Sequence, residues 1–306
     1  DASLDERGQE RARRDAIEAA CSSVRRGEVD LLRVVTDLGE LLSSDGSGER
    51  MQGALVLAEV TAGLRDVLGA GEISNLAAFF ADRLKDWHTL RATLPGCRTL
   101  LEAPQGALPC DEESARAIAG ALFAEVDAQS LSQPNRQACF SLVRSLIDHH
   151  PTLATALAED ATRAVVRFVD GEKDPRCLLA AFECLADLLA RMEDPSLLAE
   201  EVADVLSPYF PLSFAPPPEE QKSAPPLTRE SLWRALLSVF STAPEAFAPP
   251  LLALLDDRLP SPKVETKVEA MALLEHLVCH HPPGPPLRKH FAACWALLRR
   301  EALQVG

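Results

Sequence analysis

Apolar residues recur every three or four positions along almost the whole chain. Four of these stripes are Leu31, Val34, Val35, Leu38 and Leu41; Ile73, Leu76, Phe80 and Leu84; Leu178, Phe182, Leu185 and Leu189; and Leu232, Leu236 and Phe240. This spacing places the apolar side chains on one face of an α-helix. Since no stretch alternates β-branched and polar residues as a half-buried strand does, the pattern predicts an all-α chain.

Glycine, proline and short polar stretches divide the chain into segments of helical length. The breaks include residues 69–71, 104–109, 170–175 and 282–286. They leave about fourteen helices of roughly 12–20 residues, or about seven helical hairpins, a repeat typical of HEAT and armadillo arrays. In such arrays each hairpin packs on its neighbours. We therefore predict a HEAT/armadillo-like α-solenoid that forms a single array over residues 1–306, with a globular helical bundle as the alternative.

The polar stretch at 170–175, DGEKDP, is predicted to be a joint between two helices. Gly171 follows the apolar end of one helix, where a residue with positive φ commonly closes the helix. Asp174 and Pro175 suit the N-cap and the first position of the next helix. An EF-hand calcium loop is excluded, because Pro175 and Ala181 stand where that loop requires Gly and Glu.

One stretch departs from the helical pattern, SPYFPLSFAPPPEEQKSAPPL at 207–227. Its seven prolines fix φ and remove backbone donors, so we predict an irregular, partly polyproline II connection. Tyr209, Phe210 and Phe214 are the aromatic residues that would pack this connection against the helices. The alternative is a docking segment for a partner, with Tyr209 and Phe214 as candidate binding residues.

The charge balance argues against nucleic acid as a direct partner. Lys and Arg number 31 and Asp and Glu 46, so the formal net charge is −15. Such a surface repels phosphate backbones, whose neutralisation by Lys and Arg supplies most non-specific affinity. No run approaches the roughly 18 apolar residues that span a bilayer, and no secretory signal opens the chain. We expect no direct binding to nucleic acid or to membranes.

The cysteines are expected to be reduced, buried thiols of an intracellular protein, because most stand in apolar stretches and no CxxC pair occurs. The eight are Cys21, Cys97, Cys110, Cys139, Cys177, Cys184, Cys279 and Cys294. Nucleophile-elbow, phosphate-loop and dinucleotide patterns are absent, and the carboxylates stand on predicted solvated faces. We therefore predict a protein without enzymatic activity.

One histidine–cysteine set has the spacing of a metal site. His276, Cys279 and His280 share a face of one predicted helix, and His290 and Cys294 share a face of the next. Imidazole and thiolate ligands in this arrangement suit tetrahedral zinc. Cysteine is also a commonly buried, weakly polar side chain. We interpret the set as helix core and expect no bound metal or cofactor.

Several stretches resemble the amino-terminal region of the methyl-methanesulfonate-sensitivity (MMS-nineteen) family. They are SSVRRGEVDLLRVVTDLGELL at 22–42, AAFFADRLKDWHTL at 77–90, FVDGEKDPRCLLAAFECLADLLAR at 168–191, YFPLSFAPPP at 209–218, LWRALLSVFSTAPEAFAPPLLALLDDRL at 232–259 and CWALLRREAL at 294–303. The DGEKDPR and YFP…PPP motifs are the most specific, since helical repeats in general resemble one another.

The resemblance implies a long HEAT-repeat adaptor of the cytosolic iron–sulfur cluster assembly targeting complex, of which this chain is the amino-terminal part. Its implied partners are apo iron–sulfur clients, especially DNA helicases and polymerases, and the cluster-assembly targeting subunits. The latter are expected to bind mainly through a carboxy-terminal part outside this chain. DNA repair, transcription and a cytoplasmic and nuclear location follow from the same resemblance. A transport or regulatory scaffold on the same solenoid is the alternative, and a metal-holding module comes third.

Four cations are candidate binding residues. Lys173 and Arg176 flank the helix start at Pro175, where positive charge opposes the helix dipole. An acidic neighbour or an acidic partner would compensate for them. Arg83 and Lys85 stand in the similarly placed DRLKD turn. We predict that these four side chains help form a rim that partner proteins contact.

Overall fold

The computed structural model describes residues 2–214 and 227–280 and isolated helical positions between 288 and 303. Every regular element of these residues is helical, with fifteen α-helices and two short 3-10 turns. None of these helices combines the length and apolar character needed to cross a bilayer. The chain forms two compact units, Asp1–Leu153 and Ala154–Gly306. A single array over residues 1–306 stays a prediction.

The first unit is a two-layered stack of helices. Its helices are α1 (Ala2–Arg25), α2 (Leu31–Asp37), α3 (Gly39–Leu42), α4 (Ser47–Leu64), α5 (Ala70–Arg83), α6 (Leu90–Leu101), α7 (Glu112–Glu125) and α8 (Gln133–His149). α4 packs between α1 and α6, and α6 packs on α8. α5 packs on α6 and α7, which places α5 and α7 in the other layer. A ninth helix, α9 (Pro151–Ala156), lies at the unit boundary.

The second unit repeats this arrangement. Its helices are α10 (Ala158–Val169), α11 (Pro175–Leu189), α12 (Ser196–Leu206), α13 (Arg229–Ser241), α14 (Pro244–Arg258) and α15 (Val264–His280). α11 and α13 pack side by side, α12 packs between α10 and α14, and α15 contacts both α13 and α14. Each helix thus buries its apolar face on its neighbours. The prediction of an all-α, HEAT- or armadillo-like stack of helices is confirmed within each unit.

Three of the four predicted stripes are fully buried, and the first is not. The stripes through Phe80, Phe182 and Phe240 lie in the core at every predicted position. The prediction of one continuous helix through residues 31–41 is wrong, because α2 ends at Asp37 and α3 starts at Gly39. Leu42, which is eleven residues after the buried Leu31 and so lies on the same helical face, is buried, whereas Leu41 is exposed.

Seven of the eight cysteines are buried free thiols, as predicted. Burial raises the pKa of Cys110 to about 11 and that of Cys139 to about 12, and it also raises the pKa of Cys97. These thiols therefore stay protonated at neutral pH and pack as small apolar side chains. The prediction is wrong for Cys279, which is exposed, because its position on α15 faces away from the stripe that contains Leu277.

Two basic side chains from outside α6 lie against the backbone carbonyls at its carboxyl end. Arg65 is only 2% exposed, and its guanidinium donates from Nε to the Thr99 carbonyl at 3.0 Å and from Nη2 to the Leu100 carbonyl at 3.1 Å. His150 Nε2 lies 3.2 Å from the Leu101 carbonyl. The last carbonyls of a helix lack intrahelical partners, so these contacts fasten α6 to α4 and to the end of α8.

Gly96 on α6 lies directly against the ring of Phe80 on α5. A Cβ atom added to Gly96 would lie 2.7 Å from two carbon atoms of that ring. The Phe80 side chain is fully buried, so its ring has no open space into which to move. Glycine is therefore required at this position by packing rather than by backbone conformation.

We predict that Gly96→Ala lowers the free energy of unfolding by about 1–3 kcal/mol, because overpacking a core displaces its neighbours. The matched control is Gly120→Ala on the exposed face of α7, where an added Cβ meets nothing within 4 Å. That change should be neutral or stabilising by up to about 1 kcal/mol, since alanine favours helix more than glycine does. Denaturant titration of both variants provides the measurement, and equal effects would contradict the close approach.

A second prediction concerns pH. Burial lowers the pKa of His150, so between its folded and unfolded pKa values the unfolded chain binds a proton that the folded chain does not. The stability from neutral His150 is therefore complete above the unfolded pKa of about 6.5 and is lost as pH falls toward the folded value. We expect the melting temperature to fall more steeply below about pH 6.5 in the wild type than in His150→Gln, whose amide can still donate to Leu101. If the melting temperatures of the wild type and His150→Gln fall in parallel with pH, His150 does not contribute this pH dependence.

Candidate protein-binding surfaces

The joint between α10 and α11 has the predicted geometry. α10 ends at Val169, and Gly171 has a φ of 71°, in the left-handed region that glycine adopts without strain. Asp174 is the N-cap of α11, and its Oδ1 accepts a hydrogen bond from the Arg176 backbone N–H at 2.9 Å. Pro175 occupies the first turn of that helix. The helix–joint–helix interpretation of DGEKDP is confirmed.

The carboxylate of Glu172, whose burial was not predicted from the sequence, holds this joint together. Glu172 is 6% exposed, and its Oε1 accepts hydrogen bonds from the backbone N–H groups of Lys173 at 2.8 Å and Asp174 at 2.9 Å. Glu172 and Asp174 bring two negative charges to the start of α11, which offset the cations there. A binding role for Lys173 and Arg176 stays a prediction.

Tyr209 connects the Pro-rich segment to the same joint. Its hydroxyl donates to the Val169 carbonyl at 2.5 Å, and its ring meets Phe182 edge to face with 6.0 Å between centroids. The Val169 carbonyl belongs to the last turn of α10, where acceptors need partners from outside the helix. Burial raises the pKa of Tyr209 to about 12, which keeps the hydroxyl a donor at neutral pH. The two motifs that carry the family resemblance thus meet in one contact.

The rest of the described Pro-rich segment packs onto the second unit. Phe210 is buried and lies 5.4 Å from the Trp233 ring, between centroids. The Leu212 N–H donates to Oε2 of the buried Glu269 at 2.7 Å, and Glu269 also pairs with Arg229. Phe214 is half-buried at the edge of a cleft of about 670 Å³ beside the start of α15. A docking role for Tyr209 and Phe214 stays a prediction.

The start of this segment differs from the irregular form predicted for 207–227. Ser207–Tyr209 form a 3-10 turn with Pro208 in its first positions, where a fixed φ and a missing N–H carry no penalty. Phe210–Phe214 are irregular as predicted. Residues 215–226 lie outside the described residues.

Of the other two predicted rim residues, Arg83 is the last residue of α5 and Lys85 lies in the turn between α5 and α6. The Arg83 guanidinium is 5.3 Å from the centroid of the Phe79 ring, and the exposed Lys85 Nζ is 3.1 Å from Asp82 Oδ1. Arg83 and Lys85 belong to the first compact unit, whereas the cations of the 170–176 joint belong to the second. A rim that includes both pairs stays a prediction.

Hydrogen bonds around Asp86 fix the shape of this turn. Arg50 Nε donates to Asp86 Oδ2 at 2.7 Å, and Asp86 Oδ1 accepts from the His88 backbone N–H at 3.2 Å. The Thr89 hydroxyl lies 3.0 Å from the Asp86 carbonyl and 3.3 Å from the Arg83 carbonyl. Trp87 projects from this turn at 67% exposure, stacked on the His88 ring with 3.6 Å between centroids. Trp87 was not predicted from the sequence, although an indole between charged residues at a helix break is a visible signal.

The histidine–cysteine set is only partly within the described residues. His276 Nε2 lies 2.8 Å from Ser241 Oγ, and the buried Cys294 Sγ lies 3.9 Å from Asp256 Oδ1. Cys279 is exposed, so the core interpretation is wrong for that residue. The side chains of His280 and His290 lie outside the described residues. Among the side chains that are described, no three His, Cys, Asp or Glu residues are placed to share a metal ion.

Stacked amphipathic helices, with the candidate binding residues in the joints between them, define an all-α helical-repeat protein. The family model described as "Dos2-interacting transcription regulator of RNA-Pol-II" matches residues 35–304. The chain therefore belongs to the amino-terminal MMS19 family, as the sequence resemblance predicted.

Relatives from animals and plants agree with this assignment. The MMS19 nucleotide excision repair protein homologs of Mus musculus and Homo sapiens are 32% and 30% identical over 300 and 299 residues, covering 98% of this chain and 28% of their own length. The Arabidopsis thaliana homolog is 28% identical over 292 residues, covering 93% of this chain and 25% of its own. This chain thus spans little more than a quarter of these relatives. A designed armadillo repeat protein is similar over 79% of this chain and 98% of its own, at 14% identity and a TM-score of 0.46.

We predict that Tyr209→Phe lowers the free energy of unfolding by about 1 kcal/mol, because it removes one hydrogen bond and leaves the Val169 carbonyl without that donor. The phenylalanine ring keeps the contact with Phe182, so the change isolates the hydroxyl. The control is Thr36→Val, which deletes an exposed hydroxyl bonded to the Leu32 carbonyl and should stay within about 0.5 kcal/mol of the wild type. Denaturant titration measures the stability of both variants. An unchanged stability in Tyr209→Phe would show that the hydrogen bond from Tyr209 to the Val169 carbonyl is not stabilising.

Proposed function

We propose that this chain is the client-contacting part of a non-enzymatic adaptor, which recruits apo iron–sulfur proteins to the cytosolic cluster-assembly machinery. The clients are enzymes of DNA repair and replication, in particular helicases and polymerases. The observation that carries this proposal is the family match over residues 35–304, together with relatives named nucleotide excision repair protein homologs. The same names support a role in DNA repair and in transcription.

The physical character of the chain supports an adaptor. Stacked helices expose a series of joints along each unit, and such arrays bind proteins through extended surfaces. The candidate side chains at these joints include arginine and aromatic residues, which are enriched at protein interfaces, rather than a set of catalytic groups. We propose that the cluster-assembly targeting subunits bind mainly outside this chain, and that the protein acts in both the cytoplasm and the nucleus.

Capture from cell extract tests the adaptor against a transport or regulatory scaffold. The immobilised chain is incubated with extracts from iron-depleted and iron-replete cells, and the bound proteins are quantified by mass spectrometry. We expect cluster-requiring helicases and polymerases to be enriched, and more so from iron-depleted cells, where their apo-forms accumulate. Enrichment of transport factors or vesicle-coat proteins instead, without iron dependence, would contradict the proposal.

The predicted rim is tested by reversing Arg83, Lys85, Lys173 and Arg176 to glutamate together. Exposed ion pairs contribute a few tenths of a kcal/mol each, so losing four should reduce client recovery by about tenfold. The matched control reverses four exposed arginines that pair within their own helices, which changes the net charge equally. These are Arg14, Arg33, Arg116 and Arg234.

Melting temperature is measured alongside recovery in both variants. Lost recovery at an unchanged melting temperature, seen in the rim variant and not in the control, is the expected result. A lower melting temperature with recovery intact would mean that the four charges serve only the stability of the fold. An equal loss in rim variant and control would show a non-specific effect of net charge.

A further inference from the structure

We propose that Trp87 is the centre of a docking site for an acidic, aromatic-containing segment of a partner protein. The inference rests on the proposed adaptor function only in assuming that a protein partner exists. It adds that this partner presents acidic and aromatic side chains. It concerns the α5–α6 turn of the first unit alone. The observations behind it are the exposure of the indole, the hydrogen bonds that hold the turn and the cations beside it.

The indole of Trp87 is presented to solvent on a fixed support. It is 67% exposed, whereas the preceding residue, Asp86, is held by Arg50 Nε at 2.7 Å. Arg50 Nη1 in turn donates to the carbonyls of Ser44 at 3.0 Å and Asp45 at 2.9 Å. The turn is thereby tied to the loop before α4. A single exposed apolar side chain is ordinary on a protein surface. This indole differs because hydrogen bonds from Arg50 and His88 hold the residue before it.

His88 limits the conformations of the indole. The two rings lie 3.6 Å apart between centroids with an interplanar angle of 31°, so His88 covers one face of Trp87. The other face is available to a partner, as the exposure of the side chain requires. A contact between the two rings reduces the number of indole conformations that binding has to fix. Tryptophan in such a setting is the residue type most often found to dominate interface energetics.

The surroundings of Trp87 carry a small excess of positive charge, in contrast with the chain as a whole. From Asp82 to Glu102 the sequence carries four Lys and Arg residues and three carboxylates, Asp82, Asp86 and Glu102, while the whole chain has a net charge of −15. Asp86 is already engaged by Arg50. Arg91 and Arg98 both lie on the exposed face of α6, the helix that follows the turn.

Two of these cations already have carboxylate neighbours, but the pairs are exposed. Lys85 Nζ lies 3.1 Å from Asp82 and Arg98 Nε lies 3.4 Å from Glu102, each within one or two turns of the same chain segment. Exposed pairs of this kind contribute little, so an incoming carboxylate can replace them at small cost. A partner segment with at least two Asp or Glu residues beside an aromatic residue matches both features, because its ring stacks on Trp87 while its carboxylates reach Lys85 and Arg91.

Single-stranded nucleic acid shares this chemistry in part, since bases also stack on aromatic side chains and phosphates pair with cations. The net charge of −15 repels a long polyanion over most of the chain surface. A short peptide with a few carboxylates experiences mainly the local field of the turn. The observations therefore favour the peptide, and nucleic acid becomes one outcome of the test.

The experiment selects binders from a displayed library of random dodecapeptides on the folded chain. Three baits are used in parallel: the wild type, Trp87→Ala and Trp295→Ala. Trp295 is also an exposed tryptophan, at 57%, and lies in the second unit, so it is the matched control. We expect the wild type and Trp295→Ala to enrich peptides with two or more acidic residues beside an aromatic residue. Trp87→Ala should not enrich them.

The enriched peptides are then measured by fluorescence polarisation. We expect Trp87→Ala to weaken the Kd at least tenfold, and the double change Lys85→Glu, Arg91→Glu to weaken it at least fivefold and to reduce its salt dependence. The double variant keeps the test valid if Trp87→Ala unfolds, which its melting temperature reveals. Peptides that lack acidic residues, no enrichment at all, or equal enrichment on Trp87→Ala would each overturn the proposal.

A labelled dodecathymidine serves as the nucleic-acid probe. If it binds more tightly than the peptides, and loses that binding in Trp87→Ala, the site is for nucleic acid and the proposal is wrong. Intact client capture without peptide enrichment would overturn only the Trp87 site. Peptide binding without enrichment of cluster-requiring enzymes would overturn only the adaptor function.

Discussion

Burial of each helix's apolar stripe against its neighbours is the interaction on which both units depend. Phe80 on α5 is fully buried against α6, where Gly96 has no side chain to obstruct the ring. Phe240 and Phe247 meet edge to face between α13 and α14, with 5.5 Å between centroids. Because the helices pack in succession, the joints between them remain at the surface. Stacking thus leaves some turn side chains, such as Lys85 and Trp87, exposed to solvent.

Helix ends impose a second requirement, which links those joints to the rest of each unit. The last carbonyls of α6 accept from Arg65 and lie within hydrogen-bonding distance of His150, and the last turn of α10 accepts from Tyr209. Each donor comes from a different element, so a joint is fixed by residues distant in sequence. Glu172 and Asp86 act inside their own turns and hold the backbone in place. Turns fixed in this way can present side chains in a defined geometry.

Electrostatics distinguishes these turns from the surrounding surface. The chain carries a net charge of −15, yet cations are concentrated in the turn before α6 and beside the N-cap of α11. Around Asp174 the carboxylates of the joint offset the cations, whereas at the α5–α6 turn Asp86 is engaged by Arg50 and Asp82 pairs with the exposed Lys85. The α5–α6 turn, where Trp87 is also exposed, is the one that we propose as the site for an acidic partner.

The sequence by itself determined the features that arise within one helix and its two ends. The 3.6-residue period located most helices, and the chemistry of Gly171, Asp174 and Pro175 located a joint, because capping depends on residues only a few positions apart. The tertiary structure alone decided which residues meet across the chain. Tyr209 reaches Val169 over 40 positions, Glu172 is buried while Cys279 is exposed, and Trp87 stays in solvent. Burial depends on the neighbouring element, and the local pattern of residues does not specify which element that is.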